Sequence, residues 1–320
     1  MSSPLFKICI TGAAGNISNH LIPYLCNGYI FPDKQISLSL LDIPNPPQIN
    51  IMNGIILELQ DCNYPNLHSV TSHTNANEAF KNADLIIFLG GYPRKPGMER
   101  KDLLTINGKI FTSQAEALQH ANPNVKCLII ANPCNTNAKI LYEGIKKFNL
   151  DIKKENITCL SRLDQNRARS LFKQMYNKNG DNVFIWGNHS SSCVPDIMCD
   201  DNDNEKEMIN EEFINKVQQR GSEILNVKGM SSVFSAAKAI CDHLRDWCYG
   251  NSNSNSNVVS MGVISNGEYD IKEGLVCSMP CKCNGNWEYN IIQGLHISND
   301  IKCKLDISIK ELQDEANDII

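Results

Sequence analysis

The sequence lacks any apolar run of the ~20 residues that a membrane-spanning helix needs, so a membrane protein is not expected. It also lacks positive charge of the kind that binds nucleic acid. The formal net charge is -5, and the lysines and arginines are scattered, whereas nucleic-acid binding depends on clustered cations that face phosphates. The first residues contain neither an apolar signal segment nor an arginine-rich presequence, which favours the cytoplasm.

A metal-binding pattern is missing as well. The chain has 14 cysteines, and Cys277, Cys281 and Cys283 lie close enough in sequence to suggest zinc. No second C-x-x-C pair supplies the remaining ligands of such a site. Other cysteines, such as Cys9 and Cys127, fall inside apolar segments that read as buried strands. We therefore expect reduced thiols that pack as small apolar side chains, and no metal.

What the sequence does contain is the composition of a sizeable α/β enzyme. A chain of 320 residues with 42% hydrophobic residues can bury a large core, and its length favours two domains. Strand-length apolar segments alternate with segments of helical periodicity. The predicted strands of the first half cover residues 6–11, 36–41, 85–89 and 125–131. This alternation predicts a Rossmann-type doubly wound parallel sheet over residues 1–155, followed by a second, α+β catalytic domain over residues 156–320.

Two glycines, Gly12 and Gly15, separate the first predicted strand from the first predicted helix. Many turns contain such a pair, and the middle position of the usual dinucleotide pattern is Ala14 here. The context gives the pair its meaning, because a helix follows and Asp42 ends the next predicted strand. A carboxylate at that position accepts the ribose diol and repels a 2'-phosphate. The sequence therefore predicts an NAD site rather than an NADP site.

Three side chains of the second half suit the oxidation of a 2-hydroxy acid. His189, just after the predicted strand 183–186, is the candidate proton acceptor, because imidazole titrates near neutrality. Asp164, at the start of a predicted helix over residues 164–176, would hold the ring in one tautomer and stabilise the imidazolium. Arg167 offers a planar fork for the substrate carboxylate. The other six histidines lack such neighbours and are interpreted as structural residues.

A short loop after residues 85–89 carries an arginine at each end, Arg94 and Arg100. Loops with proline and glycine are commonly exposed turns, but Gly97 would also let this loop fold over a substrate and exclude water. Arg94, with Arg100 beside it, could then bind a second carboxylate, and the charges would fit a four-carbon dicarboxylate. Asn132 precedes Pro133 and could simply shape that turn.

Several segments in chain order resemble the malate dehydrogenases, and within them the cytosolic branch. They are residues 11–17, 41–43, 94–100, 132–137, 163–168 and 187–190. The resemblance runs from about residue 7 to the end of the chain. It implies NAD-dependent interconversion of malate and oxaloacetate, a small-molecule substrate and a homodimer.

The resemblance also implies roles for single positions. His189 would be the proton acceptor and Asp164 its partner. The implied substrate-binding residues are Arg94, Arg100, Asn132 and Arg167. The implied NAD-binding residues are Gly12, Ala13, Ala14, Gly15, Asn16, Ile17, Ser18, Asp42, Asn107, Gln114, Ile130, Ala131 and Asn132. Lys95 stands where many cytosolic relatives have a second consecutive arginine, and that neighbour does not bind the substrate in the family.

Four other segments carry structural predictions. A wide apolar helical stripe is formed by Ile51, Met52, Ile55, Ile56 and Leu59, with Leu57 off that face; core burial is favoured for it, although it is also a candidate for the dimer contact. The acidic residues 200–205 predict a solvated turn, and residues 231–249 predict a long helix. Residues 251–257 are an Asn/Ser tract that is expected to bury nothing and to form a surface loop.

Two other functions remain open at this point. A lactate-type dehydrogenase would share His189, Asp164 and Arg167 but would bind a methyl group where Arg94 binds a carboxylate. A catalytically silent nucleotide-binding or scaffold protein would need none of the three, so their presence argues against it.

Overall fold

A computed structural model describes residues 5–92, 100–199, 204–251 and 258–318. The chain divides into two compact units, Met1–Thr158 and Cys159–Asp318. Within the described ranges, no helix is both long enough and apolar enough to pass through a bilayer.

Strands and helices alternate in the first unit. Its strands are β1 (Phe6–Thr11), β2 (Ile36–Leu41), β3 (Leu67–His73), β4 (Leu85–Phe88), β5 (Lys126–Ile129) and β6 (Ile157–Cys159). Its helices are α1 (Asn16–Cys26), α2 (Pro46–Cys62), α3 (Ala76–Ala79), α4 (Arg100–Ala117) and α5 (Cys134–Lys147). All four residues of β4 are buried, as expected of a strand inside a parallel sheet with both faces covered.

Strands β1 to β5 form a parallel sheet in the order β5-β4-β1-β2-β3. The chain moves outward from β1 through β2 to β3, and then returns to the other side of β1 to form β4. In open sheets of this kind, ligands bind at the carboxyl ends of the strands where the order reverses. The predicted Rossmann-type fold is confirmed, and it places the turn after β1 at that reversal.

The second unit combines helices with antiparallel strands. Its helices are α6 (Arg162–Tyr176), α7 (Glu205–Met208), α8 (Glu211–Lys228), α9 (Phe234–Tyr249) and α10 (Asn299–Asn317). Its strands are β7 (Val183–Trp186), β8 (Val194–Ile197), β9 (Val259–Ile264), β10 (Val276–Gly285) and β11 (Glu288–Ile291). Neighbouring strands pair in antiparallel fashion, β7 with β8 and β10 with both β9 and β11.

Aromatic side chains fix β7, the strand that leads to His189. Phe184 and Trp186 lie on this strand with ring centroids 5.3 Å apart, and Trp186 also packs edge-on against Tyr269 at 4.8 Å. The side chains of Phe184 and Trp186 are both fully buried. Large buried rings are among the most stabilising contacts in a core, so the residues just after β7 start from a rigid strand.

The apolar stripe on α2 is more exposed than predicted. Met52 and Leu59 are buried, Ile55 and Ile56 are partly buried, and 42% of Ile51 is exposed. The interpretation as core is therefore wrong for Ile51. An amphipathic helix on a sheet buries only the narrow arc that faces the strands, and α2 is apolar over a wider arc than that.

The Asn/Ser tract is buried at its first residue. Asn251, at the start of the Asn/Ser tract, is only 2% exposed, and its Oδ1 accepts a hydrogen bond from the backbone N–H of Cys283 at 3.0 Å. The prediction that the tract buries nothing is wrong at this residue, because a polar side chain can be buried when the backbone satisfies it. Residues 252–257 and residues 200–203 of the acidic segment lie outside the described residues, and Glu205 begins α7.

The cysteines are free thiols. Cys9 and Cys127 are fully buried, which confirms their prediction as core residues, and burial raises the pKa of each thiol to about 12. Cys277, Cys281 and Cys283 are buried in β10. Among the described residues, no cluster of three potential ligands is arranged to hold a metal ion.

Candidate functional site

The turn after β1 depends on glycine for its shape. Gly12 has a φ of 65°, and a Cβ at this position would lie 2.6 Å from the Cα of Gly90. No other residue fits that contact, because the nearest atoms belong to the backbone. The turn closes with a hydrogen bond from the Gly15 N–H to the Gly12 carbonyl at 3.0 Å. Ser18, buried on α1, donates to the same carbonyl at 2.9 Å.

The start of α1 fits an anionic group. No side chain caps this terminus, no acidic residue occupies the first turn, and Gly15 and Asn16 are exposed. A helix N-terminus of this kind presents backbone N–H groups and the positive end of the helix dipole. The pyrophosphate of a dinucleotide matches these properties. The residues at this edge that would hold the cofactor are therefore Gly12 to Ser18.

Asp42 lies at the end of β2 and is partly exposed. Its Oδ2 accepts from the Ala14 N–H at 2.9 Å, and its Oδ1 accepts from the Ile43 N–H at 2.8 Å. Each carboxylate oxygen can accept a second hydrogen bond. Asp42 can thus fasten the glycine turn and still accept the hydroxyls of a ribose.

Asn107, which the sequence assigns to NAD, is fully buried in α4. Its Oδ1 accepts from the Tyr92 N–H at 2.8 Å, and its Nδ2 donates to the Tyr92 carbonyl at 3.4 Å. Asn107 therefore fixes the backbone that enters the arginine loop. Arg94 lies outside the described residues, and Arg100 is the first residue of α4, with its side chain outside the described part.

The segment after β5 carries the remaining implied cofactor residues. The N–H groups of Ile130 and Ala131 both donate to the Phe88 carbonyl at 2.9 Å. Asn132 is exposed, and its peptide bond to Pro133 is cis. On α4, the Oε1 of Gln114 is buried and has no hydrogen-bond partner among the described residues.

In the second unit, Asp164 and His189 form a hydrogen-bonded pair. Asp164 lies in the first turn of α6, where the helix dipole favours a carboxylate. Its Oδ2 pairs with the Nδ1 of His189, which follows β7. When Nδ1 carries the proton of this bond, Nε2 is the nitrogen that can exchange a proton with another molecule. The pair thus has the geometry of a base with its orienting carboxylate.

Arg167 lies one turn after Asp164 on the same helix. Its NH1 donates to Oδ1 of Asp164 at 3.1 Å, and its NH2 donates to Oγ of Ser232 at 3.0 Å. Nε of Arg167 is buried, with no hydrogen-bond partner among the described residues. A guanidinium has five N–H donors, and these two bonds use one at NH1 and one at NH2, so donors remain for a further acceptor such as a carboxylate.

The charge of Asp164 depends on its two neighbours. Burial by itself would raise the pKa of the Asp164 carboxyl, but the charge and hydrogen bond of His189, and then those of Arg167, hold the pKa below its usual value. Asp164 therefore remains a carboxylate at neutral pH. The fixed negative charge of Asp164 beside Nδ1 stabilises the imidazolium form of His189. A histidine must be in that form to donate a proton to a ketone.

The structure adds residues that the sequence reasoning missed. Ser232 orients Arg167 through its hydroxyl. In the sequence, only the pair of serines before α9 could have pointed to this contact. Behind His189, Asn188 donates to Glu311 and Glu315 of α10, each at 3.1 Å. No local pattern could have pointed to these two acids, because they lie more than 120 residues further along the chain.

The chain is similar to proteins of one family over nearly its whole length. Residues 6–157 match the family model for the lactate/malate dehydrogenase NAD binding domain, and residues 161–320 match that for the alpha/beta C-terminal domain. The chain is 41% identical to a cytoplasmic malate dehydrogenase of Zea mays, over 98% of this chain and 97% of that protein.

Two solved structures are similar over almost the whole chain. The malate dehydrogenase of Naegleria fowleri is 38% identical with a TM-score of 0.92, covering 100% of this chain and 99% of that one. The lactate dehydrogenase of Trichomonas vaginalis, in complex with NADH and oxamate, is 32% identical with a TM-score of 0.86, covering 98% and 97%.

Proposed function

Since this chain belongs to the lactate/malate dehydrogenase family, we propose that it is an NAD-dependent malate dehydrogenase that interconverts malate and oxaloacetate. The observation that carries the proposal is the Asp164–His189 pair with Arg167 beside it. When bound, NAD(H) supplies the hydride chemistry, between C4 of the nicotinamide and C2 of the substrate. The protein supplies the proton and the charges that hold the substrate.

His189 is the proposed proton acceptor for malate and the proton donor for oxaloacetate. The bond to Asp164 supports this role, because it orients the ring and favours the imidazolium. Arg167 is the proposed partner of the carboxylate on the reacting carbon. The 14% of its side chain that is exposed and the second N–H groups of NH1 and NH2 support that role, since a guanidinium can bind a carboxylate through two such donors.

The second carboxylate is assigned to the arginine loop. We propose that Arg94 binds it, with Arg100 nearby, and that Asn132 contacts substrate and cofactor. Sequence resemblance supports these assignments. They distinguish the proposed substrate from the lactate type, because a methyl group in place of the second carboxylate would leave an arginine without its partner.

The function is tested by following NADH consumption, first with oxaloacetate and then with pyruvate. We expect rapid consumption with oxaloacetate and consumption slower by orders of magnitude with pyruvate. Faster turnover of pyruvate would identify a lactate-type enzyme instead. No turnover of either substrate would identify a silent nucleotide-binding protein, and both of these results contradict the proposal.

We propose NAD rather than NADP as the cofactor, with the turn Gly12 to Ser18 on the pyrophosphate and Asp42 on the ribose diol. Asn107, Gln114, Ile130 and Ala131 complete the proposed contacts. The partly exposed carboxylate of Asp42 supports the preference for NAD, because it would repel a 2'-phosphate.

Replacing Asp42 with Ser should weaken NADH binding by about 10- to 100-fold, the usual loss for a hydrogen bond to a charged group. The same change should improve binding of NADPH relative to NADH. Kinetic titration with both cofactors measures the effect. Asp33→Ser is the matched control, because Asp33 is an exposed acid of the same unit, where it pairs with Lys34. An unchanged preference between the cofactors would remove Asp42 from the ribose site.

We also propose a homodimer in the cytoplasm. The exposed residues Ile51 and Leu57 of α2 support the dimer, and so does a groove of about 330 Å³ between α1 and α2 whose lining includes Ile51 and Pro23. Exposed apolar surface on a helix is typical of a protein contact. Sedimentation at micromolar concentration tests this proposal, and a monomer mass would contradict it.

A further inference from the structure

The loop that carries His189 is fastened to helix α10. Gly187 has a φ of 88°, and a Cβ there would lie 2.3 Å from Oγ of Ser308, so the loop backbone runs directly over this serine. The Asn188 N–H donates to Oγ of Ser308 at 2.8 Å. The hydroxyl of Ser192 lies 2.9 Å from the same atom. Ser308 therefore contacts the loop on both sides of His189.

Glu311, one turn further along α10, binds three side chains of this loop. Its Oε2 accepts from Nδ2 of Asn188 at 3.1 Å, from Oγ of Ser190 at 2.6 Å and from Oγ of Ser192 at 2.5 Å. One oxygen that accepts three donors is characteristic of an ionised carboxylate. Two of these donors, Asn188 and Ser190, come from the residues immediately before and after His189.

A second acid closes the network. Oε1 of Glu315 accepts from Nδ2 of Asn188 at 3.1 Å. Asn188 is 2% exposed and Glu315 is 3% exposed, so the hydrogen bonds of this pair are protected from water. Buried polar networks in which every member is paired hold a single geometry. The loop on which the imidazole stands is thus held in place by α10.

We propose that Glu311 is a positioning residue for His189, which fixes the loop under the imidazole and places a negative charge behind it. This inference rests on the proposed function, in which His189 exchanges the proton. Asp164 orients the ring at Nδ1, and the position of the ring also depends on the backbone that carries it. A catalytic group displaced by about 1 Å can lose 10²-fold in rate, so the backbone also needs to be fixed.

In the described part of the chain, two helices bring charged groups to the loop that carries His189. Helix α6 contributes Asp164 and Arg167, and α10 contributes Glu311 and Glu315. In the loop itself Cys193 is neutral, because burial first, and then the charge of Asp164, raises the pKa of its thiol well above its usual value. The two acids of α10 favour the imidazolium, whereas Arg167 opposes it. Removing the charge of Glu311 should therefore make His189 easier to deprotonate.

The test compares the wild-type chain with Glu311→Gln, which keeps an acceptor oxygen but removes the charge, and with Glu311→Ala, which removes both. Asp314→Asn is the matched control, because Asp314 is an exposed acid on the same helix that pairs with Lys310. Histidine labelled with carbon-13 at the ring is titrated by NMR without substrate. The His189 signal is the one that is missing from His189→Gln.

We expect Glu311→Gln to lower the pKa of His189 by about half a unit to one unit, as the loss of a nearby opposite charge does. The kcat of Glu311→Gln with oxaloacetate should fall about 10-fold, and that of Glu311→Ala about 100-fold. The KM for NADH should stay within about 2-fold of wild type in both variants. Asp314→Asn should leave all three quantities unchanged. If Glu311 only supported the fold, its replacement would not change the pKa of His189 in a folded variant.

An unchanged His189 titration and kcat in a folded Glu311→Gln variant would overturn the inference. That failure is distinct from failure of the proposed function, which shows as a wild-type chain that reduces no oxaloacetate. The NMR titration needs no turnover, so it decides the role of Glu311 in either case. If Glu311→Ala does not fold, Glu311→Gln alone gives the answer.

Discussion

Replacing Asp164 with Asn should lower kcat for oxaloacetate reduction by about 10³- to 10⁴-fold, as the loss of an orienting carboxylate does in a related kind of relay. Asp164 accepts from His189 at one oxygen and from Arg167 at the other. In the Asn variant, the amide oxygen would remain with Arg167 and the NH₂ group would face Nδ1 of His189. The imidazole would then carry its proton on the wrong nitrogen. Steady-state kinetics with oxaloacetate and NADH measures this loss.

The control for Asp164→Asn is Asp246→Asn. Asp246 is a largely buried acid that pairs with Arg162, another arginine of α6, but it has no contact with His189 among those described. Its removal should lower the melting temperature and leave kcat within a few-fold of wild type. Near-normal kcat in a folded Asp164→Asn variant would show that the carboxylate does not orient the base.

The second large effect is expected at Arg94. Changing Arg94 to Gln should shift the ratio of kcat/KM toward pyruvate and away from oxaloacetate by about 10³- to 10⁵-fold. In the wild type, pyruvate leaves Arg94 without a carboxylate partner. In the variant, oxaloacetate has a carboxylate without an arginine partner. Arg94 lies outside the described residues, so this prediction rests on the sequence and on the family resemblance. The ratio of kcat/KM for the two substrates is the measurement.

Lys95→Gln is the matched control for this substitution. Lys95 neighbours Arg94 and carries the same charge, but no contact with the substrate is assigned to it. Its removal should change the preference by less than about 3-fold. If Arg94→Gln and Lys95→Gln behave alike, the arginine loop does not select the substrate.

The fold was predictable where the signal is local. Phe6–Thr11, Ile36–Leu41 and Val183–Trp186 have the bounds that the apolar runs predicted, because each run is compact and ends at a polar or glycine residue. The helix predicted from residue 231 begins at Phe234 instead. Ser232 lies before the helix, where its hydroxyl accepts from Arg167, and a contact with a distant side chain leaves no periodic signal.

The chemistry of the site was predictable in part for a similar reason. His189 and Asp164 are 25 residues apart, and their residue types alone suggest a base and its partner. The contribution of α10 was not predictable. Ser190 bonds Glu311 over 121 residues, and an acid on a helix surface usually faces solvent. The exposure of Ile51 also could not be read from its apolar character, since core and contact surface share the same composition.

In the proposed mechanism His189 gives its proton to oxaloacetate, so kcat/KM for oxaloacetate in the presence of NADH should follow the ionisation of His189 as pH changes. Asp164 keeps a lowered pKa, so it stays ionised over the pH range in which imidazole titrates. We expect kcat/KM to be constant while His189 is protonated and to fall tenfold for each pH unit above the pKa of His189. The residual activity of His189→Gln should lack this break. A value of kcat/KM that stays constant as pH rises through the imidazole titration would show that His189 does not supply the proton.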